Sequence, residues 1–292
     1  MSPGCLHPGQ DSNQPAHDHL VSIAPSPPQE ISGTDPRRAC AWPRRLYQGP
    51  ARLIALEELK SWILFEDERL LVVNKPGDVV CHPSKAGPWS SLVSATREYT
   101  GLPTMHLVFR LDRETSGVVV LAKDAKTATR LQTAMMRRQV GKTYEAILTG
   151  RLPGKVTVDQ PLGDDSASPV FTKSAVVAGG QPSVTHFEPL TATNDFTHVR
   201  VGTDTGRKHQ IRAHAQWLGH SVVGDKIYGP DARHYLQFIE SGWTPALAER
   251  LLLPRQALHC SRIDLSPAKW EQEFTAPLPE DMAAFLKERG LG

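Results

Sequence analysis

The segment FRLDRETSG, residues 109–117, places an aspartate among cationic and hydroxyl side chains. Asp112 sits between Arg110 and Arg113 in this segment. A carboxylate with the reference pKa of about 3.9 is ionised at neutral pH, and a cation beside it keeps it ionised and oriented. The segment therefore predicts a reactive aspartate that acts as a nucleophile or a base. The alternative is a salt bridge at the end of a strand, which is the commoner role of an Arg-Leu-Asp triplet taken alone.

A second segment, TGRKHQIRAH (205–214), supplies a candidate partner for this aspartate. If a helix begins near residue 210, Arg212 and His209 lie about one turn apart at its start. Arg212 is then a candidate ion partner of Asp112. His209 and His214 are five residues apart rather than four, so they do not form the two-histidine helical face of a zinc site. The sequence therefore predicts no metal site.

A third segment, GKTYEAILTG (141–150), places Tyr144 near the start of a strand. An aromatic ring in that position can stack on a flat ligand such as a nucleobase. The alternative is that Tyr144 is a half-buried residue of the sheet, which is its commoner role. A basic cluster is more typical of a solvated helix end than of an RNA contact, and comprises Arg130, Arg137, Arg138 and Lys142.

The candidate aspartate is followed directly by elements that can hold it in place. The β-branched run SGVVVLAKD (116–124) predicts a buried strand. Asp124 is then expected to cap a helix that carries Ala128, Leu131 and Met135 on one face. The carboxylate thus precedes a core strand, which is a rigid support for a reactive group.

The remaining patterns predict the fold class. We expect a strand over 142–152, a helix over 209–220 and a final amphipathic helix over 279–290. Short alternating segments between 155 and 206 predict an antiparallel sheet. Because helices and strands do not alternate regularly, the sequence favours an α+β fold, with mixed or antiparallel β-sheets flanked by helices.

The composition sets limits on the class of protein. The formal charge of +2, from 33 basic and 31 acidic residues, does not by itself indicate a nucleic-acid-binding protein. If RNA binds, the basic residues must be concentrated on one face. The four cysteines are widely spaced, which suits a reducing compartment. No apolar run approaches the roughly 18 residues of a membrane helix, and no signal peptide is evident. We therefore expect a cytoplasmic monomer that contacts no membrane and has no evident protein partner.

Residues 1–50 differ in composition from the rest of the chain. They hold nine of the 24 prolines and few aliphatic residues in any period. This composition is typical of a chain that buries too little apolar surface to fold. We predict a disordered N-terminal arm over 1–50 and one folded domain over 51–292.

Five segments taken together resemble the RluA family of pseudouridine synthases. The resemblance covers about residues 62 to 288, and its most specific parts are the R-L-D-x-x-T-S-G and G-R-x-H-Q-I-R motifs. The five segments are LLVVNKPGDVVCHPS, RLDRETSGVVVLAK, GKTYEAILTG, TGRKHQIRAHAQWLGHSVVGDKIYG and ALHCSRIDL with the later FTAPLPEDM. The resemblance implies that residues 51–292 form a pseudouridine synthase catalytic domain. It also implies an enzyme that isomerises uridines in structured RNA, a transfer RNA or ribosomal RNA stem-loop, without a cofactor.

The resemblance also implies roles for individual residues. Asp112 matches the catalytic aspartate, and Arg212 matches the arginine that pairs with it. Tyr144 matches the tyrosine that stacks on the target uracil, and Ile211 the apolar residue on the other face of the base. Arg110 matches the arginine that fills the gap left by a flipped base.

Other residues of the same motifs are further candidates. Arg207, His209 and Thr115 are candidates for substrate binding. Lys75 and Pro76 match a structural motif that packs behind the site.

The chain departs from the family pattern in two respects. Phe109 stands where the family commonly has histidine, which bears on the details of substrate recognition. Many relatives also carry a small RNA-binding domain, like that of a ribosomal protein, before the catalytic domain. Residues 1–50 are too proline-rich to form it, so the chain resembles the minimal type.

Two other classes of protein stay open at this point. One is a non-catalytic RNA-binding protein built on the same scaffold. The other is a hydrolase with an aspartate nucleophile, which usually needs a second carboxylate at a defined separation. Glu114 is the nearest such group in the sequence. The sequence does not decide whether Asp112 attacks a substrate atom or removes a proton.

Overall fold

The computed structural model describes residues 52–82 and 88–292 of the chain. This part contains a mixed sheet of ten strands, a separate two-stranded sheet and seven α-helices. The predicted α+β class is therefore confirmed. The predicted N-terminal arm, residues 1–50, lies outside the described residues.

Twelve strands make up the two sheets. They are β1 (Ile63–Glu66), β2 (Leu70–Lys75), β3 (His106–Leu107), β4 (Ser116–Ala122), β5 (Gly141–Thr149), β6 (Val156–Asp159), β7 (Leu162–Asp164), β8 (Ser174–Val176), β9 (Val184–Ala192), β10 (Phe196–Thr203), β11 (Leu258–Asp264) and β12 (Glu273–Thr275).

The α-helices lie between these strands and at the end of the chain. They are α1 (Leu56–Ser61), α2 (Leu92–Thr100), α3 (Ala125–Met136), α4 (Gln210–Trp217), α5 (Arg233–Ser241), α6 (Pro245–Leu251) and α7 (Glu280–Glu288).

The large sheet runs in the order β1-β2-β4-β11-β5-β10-β9-β6, with β3 paired to β4 and β12 paired to β11. Only the β4–β11 pair is parallel among these pairings of the described strands. Strands β7 and β8 form the small antiparallel sheet. The sheet order places β4 and β5 on either side of β11, so the two strands that carry the predicted site motifs are two positions apart.

Strand β4 forms the centre of the core, and all seven of its residues are buried. Its β-branched side chains suit a strand covered on both faces. Gly117, the second residue, has a φ of 115°, and a Cβ there would lie 2.2 Å from the carbonyl oxygen of Cys260. Only glycine permits this approach of β4 to β11. The turn that holds Asp112 is joined directly to this tightly packed strand.

Helix α3 begins as the sequence predicts. The carboxylate of Asp124 accepts a hydrogen bond from the Thr127 backbone N–H at 2.8 Å, and Ala128 and Leu131 are buried beneath the helix. Strand β5 ends at Thr149, three residues before the predicted boundary. Gly150 adopts a left-handed φ of 73° and turns the chain away.

Helices α5 and α6 are absent from the sequence-based expectations. No residue of α5 is fully buried, and α6 has only seven residues. No helix among residues 52–82 and 88–292 is both long enough and apolar enough to span a bilayer.

Candidate active site

An open cavity of about 330 Å³ lies where the turn before β4 meets the first residues of β5 and α4. All eight residues that the sequence predicts for the site line this cavity, namely Arg110, Asp112, Thr115, Tyr144, Arg207, His209, Ile211 and Arg212. Segments 100 residues apart in the chain therefore meet at one place.

A buried arginine joins two carboxylates at the floor of the site. Arg212 Nη1 donates to Asp112 Oδ2 at 2.9 Å, which establishes the contact that the sequence could only suggest. The other side of the guanidinium donates to Asp225 through Nε at 2.6 Å and Nη2 at 2.8 Å. Asp225 also accepts the backbone N–H groups of Ile227 and Tyr228. Asp225 thus fixes Arg212, and Arg212 orients Asp112.

In the triad of Asp225, Arg212 and Asp112, the attraction between opposite charges opposes the effect of burial on each pKa. Burial acts to raise the pKa of Asp112, but the guanidinium of Arg212 outweighs it and holds this pKa below its usual range. The pKa of Asp225 is lowered in the same balance, also by Arg212. Burial acts to lower the pKa of Arg212, and its two carboxylate partners raise it instead. Asp112 is therefore an ionised carboxylate at neutral pH, with about a quarter of its side chain exposed.

His209 lies beside Asp112 as a neutral imidazole. Burial, together with the charge of Arg212, lowers the pKa of His209 to about 4. Its Nδ1 lies 3.1 Å from the Tyr228 hydroxyl, whose oxygen accepts the Ser174 backbone N–H at 2.8 Å. The hydroxyl can donate to Nδ1 or accept from it, according to which ring nitrogen of His209 carries the proton. Nε2 lies 3.9 Å from Asp112 Oδ2, too far for a direct hydrogen bond.

Tyr144 and Ile211 supply flat and apolar surface to the cavity. Tyr144 lies on β5 and is 9% exposed, and Ile211 lies in the first turn of α4 and is 6% exposed. Burial raises the pKa of the Tyr144 phenol well above its usual value, and Cys260 and Asp112 nearby add to this. The phenol is therefore protonated at neutral pH.

Three further cations line the cavity. Arg110 is exposed and has no side-chain partner in the part of the chain that the structure describes. Arg207 donates from Nε to the Pro182 carbonyl at 3.3 Å. Lys142 donates to the Thr205 carbonyl at 3.3 Å, and burial lowers its pKa. The cavity thus presents more positive than negative charge, which suits an anionic ligand.

Lys75 supports the Asp112 turn from behind. Its side chain is fully buried, and Nζ donates to the carbonyls of Pro76 at 2.8 Å, Val79 at 3.0 Å and Arg113 at 3.0 Å. Burial lowers the pKa of Lys75 to about 8. The bond to Arg113, the residue after Asp112, ties the turn to the end of β2.

Glu114 and Thr115, which follow Asp112 in the sequence, form hydrogen bonds with other residues. The Thr115 hydroxyl lies at the cavity but accepts from Gln256 Nε2 at 2.6 Å, and its backbone N–H donates to the Asp112 carbonyl. Glu114 accepts from Lys226 Nζ at 2.6 Å and is not among the cavity residues. Asp112 is therefore the only carboxylate among the described residues that line the cavity.

The matched family model is that of RNA pseudouridylate synthase, and it covers residues 69–217, which include all of the cavity residues except Leu258. The chain belongs to the RNA pseudouridylate synthase family. The predicted resemblance is confirmed, and so is the predicted activity, the isomerisation of uridine to pseudouridine in RNA.

Curated relatives support this assignment along most of the chain. This chain is 37% identical over 247 residues to the Ribosomal large subunit pseudouridine synthase D of Vibrio parahaemolyticus. The match covers 80% of this chain and 74% of the relative. The protein of the same name from Pseudomonas aeruginosa is 34% identical over 246 residues, covering 79% and 72%. The solved structure of Human RNA Pseudouridylate Synthase Domain Containing 4 matches with a TM-score of 0.61 and 26% identity, covering 80% of this chain and 94% of that one.

Sequence reasoning missed two residues of this pseudouridine synthase site. Asp225 follows Gly224, whose φ is 78° and whose Cβ would lie 2.0 Å from the Arg255 carbonyl oxygen. The sequence signal available for Asp225 was a Gly-Asp pair before a buried segment. Arg212, the partner of Asp225, lies on another element. The interpretation of Lys142 as part of a solvated helix end is wrong, because Lys142 is the second residue of β5 and points into the cavity two residues before Tyr144.

Proposed function

We propose that this enzyme isomerises uridines of large-subunit ribosomal RNA and that Asp112 is its essential catalytic group. The observation that carries the proposal is the Asp112 carboxylate, ionised and held 2.9 Å from Arg212 in a cavity lined by Tyr144 and Ile211. A reactive carboxylate next to flat apolar surface is what rearrangement of a nucleobase requires.

The reaction fits a site that contains only side chains. The bond between ribose C1′ and uracil N1 breaks, the ring rotates, and a bond forms between C1′ and C5. The proton on C5 is lost and N1 gains one, so neither oxidation state nor composition changes. Asp112 starts the reaction as a nucleophile or as a base, and both roles require the ionised form that Arg212 maintains.

The cavity supplies separate surfaces for the base. The ring of Tyr144 stacks on one face of uracil, and Ile211 packs on the other. Burial keeps the Tyr144 phenol protonated. We therefore assign base stacking to its ring and only a weaker polar contact to its hydroxyl. Lys142 and Arg207 also line the cavity, and as cations they can pair with the phosphates that flank the target nucleotide.

Access to the cavity requires that the uridine leave the base stack. Arg110 lies at the cavity, exposed and unpaired within the described part of the chain, so it is available to occupy the vacated position. A guanidinium plane that stacks on neighbouring bases offsets part of the unstacking cost of a few kcal/mol.

Two observations favour this function over its alternatives. The hydrolase would need a second carboxylate near Asp112, yet Glu114 is held by Lys226 and lies off the cavity. A binding-only protein would not require the buried Asp225–Arg212–Asp112 triad, because the desolvation of buried charges can cost more free energy than their pairing returns. Ribosomal RNA is favoured over transfer RNA by the names of the relatives. That target predicts a cytoplasmic enzyme, and a monomer remains our prediction.

The test uses RNA that carries tritium on uracil C5. Transcripts of large-subunit ribosomal RNA and of pooled transfer RNAs are incubated separately with the full chain, and released tritium is counted. We expect release from ribosomal transcripts, with no free uracil among the products. Release from transfer RNA alone would contradict the proposed target, and free uracil would indicate a hydrolase.

A further inference from the structure

A second concave surface lies along α3, outside the active-site cavity. It is a groove of about 470 Å³ whose charged lining residues are Lys126, Arg130 and Arg137. The rest of its lining consists of threonines, alanines and the amide of Gln139, with no acidic residue among the described residues that line it. We call this surface the α3 groove.

The helical spacing of these cations forms one stripe. Lys126, Arg130 and Arg137 are separated by four and seven residues, so they lie on one face of the helix and its C-cap. At 1.5 Å per residue they span about 16 Å along the helix axis. The nearest acid in sequence, Asp124, is engaged as the helix N-cap and does not line the groove.

The middle cation is fixed in place and the outer two are available. Arg130 donates to the Lys269 carbonyl at 2.9 Å, and its guanidinium lies 4.8 Å from the ring centre of Trp270. Lys126 and Arg137 are exposed and form no side-chain hydrogen bond or ion pair within residues 52–82 and 88–292. Unpaired cations around an oriented guanidinium match a row of anions rather than a protein salt-bridge network.

Helix α3 separates the α3 groove from the active-site cavity. Met135 lines the cavity, whereas Ala134 and Arg137 line the groove, and Met135 is about two and a half turns after Lys126, so it faces the opposite side of the helix. An RNA strand that places one nucleotide in the cavity therefore reaches the groove by crossing one helix. This short distance and the cationic lining favour the same RNA as the occupant over an unrelated acidic partner.

We infer that the α3 groove binds the phosphate backbone of the RNA substrate next to the isomerised uridine, through Lys126, Arg130 and Arg137. The inference rests on the proposed function. Sequence patterns pointed to a solvated helix end for Arg130 and Arg137, and the structure adds a concave surface one helix away from the cavity, with no acidic residue among the described residues that line it.

Salt dependence gives the expected size of the effect. Each phosphate contact contributes about 0.7 to 0.9 to the slope of log affinity against log salt concentration. If the affinities with and without one contact become equal at 1 M salt, the loss of that contact weakens binding about four- to sixfold at 0.15 M salt. Loss of both Lys126 and Arg137 should therefore weaken RNA binding on the order of 15- to 30-fold.

The test compares three double variants of the full chain. Lys126→Gln with Arg137→Gln removes both charges, and Lys126→Arg with Arg137→Lys keeps them. Arg250→Gln with Lys287→Gln removes two exposed cations that line neither surface. Binding to bulk ribosomal RNA is measured by filter retention from 0.05 to 0.5 M salt, with tritium release and melting temperature in parallel.

We expect only the first variant to lose affinity, with a slope shallower by about 1.4 to 1.8 and an increase in KM rather than a loss of kcat. A slope equal to that of the wild type would overturn the groove assignment while leaving the enzyme activity intact. An equal loss in the Arg250 and Lys287 variant would also overturn it, because the effect would then reflect total charge. Failure of the wild type to release tritium would instead count against the proposed function.

Discussion

Replacing Asp225 with Asn leaves the buried Arg212 guanidinium with one carboxylate partner instead of two. Asp225 has no exposed surface, and it accepts two bonds from Arg212 and two from backbone N–H groups. The side-chain oxygen of Asn can still accept from the backbone N–H groups. Its NH2 group, however, would face the Arg212 guanidinium, so that two donors oppose each other. The perturbation therefore removes the charge and the orientation while changing little volume.

The magnitude follows from the burial of the pair. Removing one partner of a buried ion pair costs about 3 to 5 kcal/mol, because the remaining charge stays buried without compensation. The retained backbone bonds and the second carboxylate favour the lower end, about 3 kcal/mol. With a urea m value of about 3 kcal/mol/M, the unfolding midpoint should fall by about 1 M. Because Asp112 also loses its fixed partner, turnover should fall about 10- to 100-fold.

The assay is urea unfolding followed by tritium release from RNA under conditions in which both proteins are folded. Asp195→Asn is the matched control, because Asp195 is exposed and its side chain has no partner in the described residues. The control should stay within about 0.5 kcal/mol of the wild type. An unchanged unfolding midpoint and unchanged turnover for Asp225→Asn would refute the view that Asp225 fixes Arg212.

Three further outcomes follow from the site and its supports. Tyr144→Phe should keep substrate binding, whereas Tyr144→Leu should lose about 1 to 3 kcal/mol of base stacking in kcat/KM; equal losses would contradict the stacking role. His209 has a pKa of about 4, so between pH 6.5 and 4 the unfolded chain binds a proton that the folded protein does not. The free energy of unfolding should thus fall by up to about 3 kcal/mol as the pH is lowered from 6.5 towards 4, and it should fall by less in His209→Asn. Parallel curves of stability against pH for the wild type and this variant would argue against this. Gly117→Ala should destabilise by more than Gly101→Ala, whose positive φ strains the backbone but whose Cβ meets no atom within 4 Å. Equal unfolding midpoints for the two would show that the contact of β4 with Cys260 is not tight.

Sequence patterns were sufficient where the determinants are local. The β-branched run of β4 predicted a buried strand, and Asp124 predicted the start of α3, because strand burial and helix capping depend on residues close in sequence. The pairing of Asp112 with Arg212 was also anticipated, since both lie in motifs that the family resemblance brings together.

The rest depends on contacts between distant segments. Nothing local marks Asp225 as the partner of Arg212, because the carboxylate meets the guanidinium only when the loop after α4 folds back. Lys142 was misread because its neighbours in sequence form a basic helix end, whereas β5 carries it into the cavity. Helix α5 was not predicted, although Tyr235, Phe238 and Ile239 recur at helical spacing along it.

The central claim is that Asp112 starts the isomerisation, and its most direct test is a single-turnover measurement with Asp112→Asn. This variant preserves shape and removes the charge that Arg212 holds. Tritium release from C5-labelled ribosomal RNA and the affinity for the same RNA are measured on the same preparation. We predict that release slows on the order of 10³-fold or more while affinity changes little, because the lost interaction acts in the transition state. Release at the wild-type rate would contradict the account.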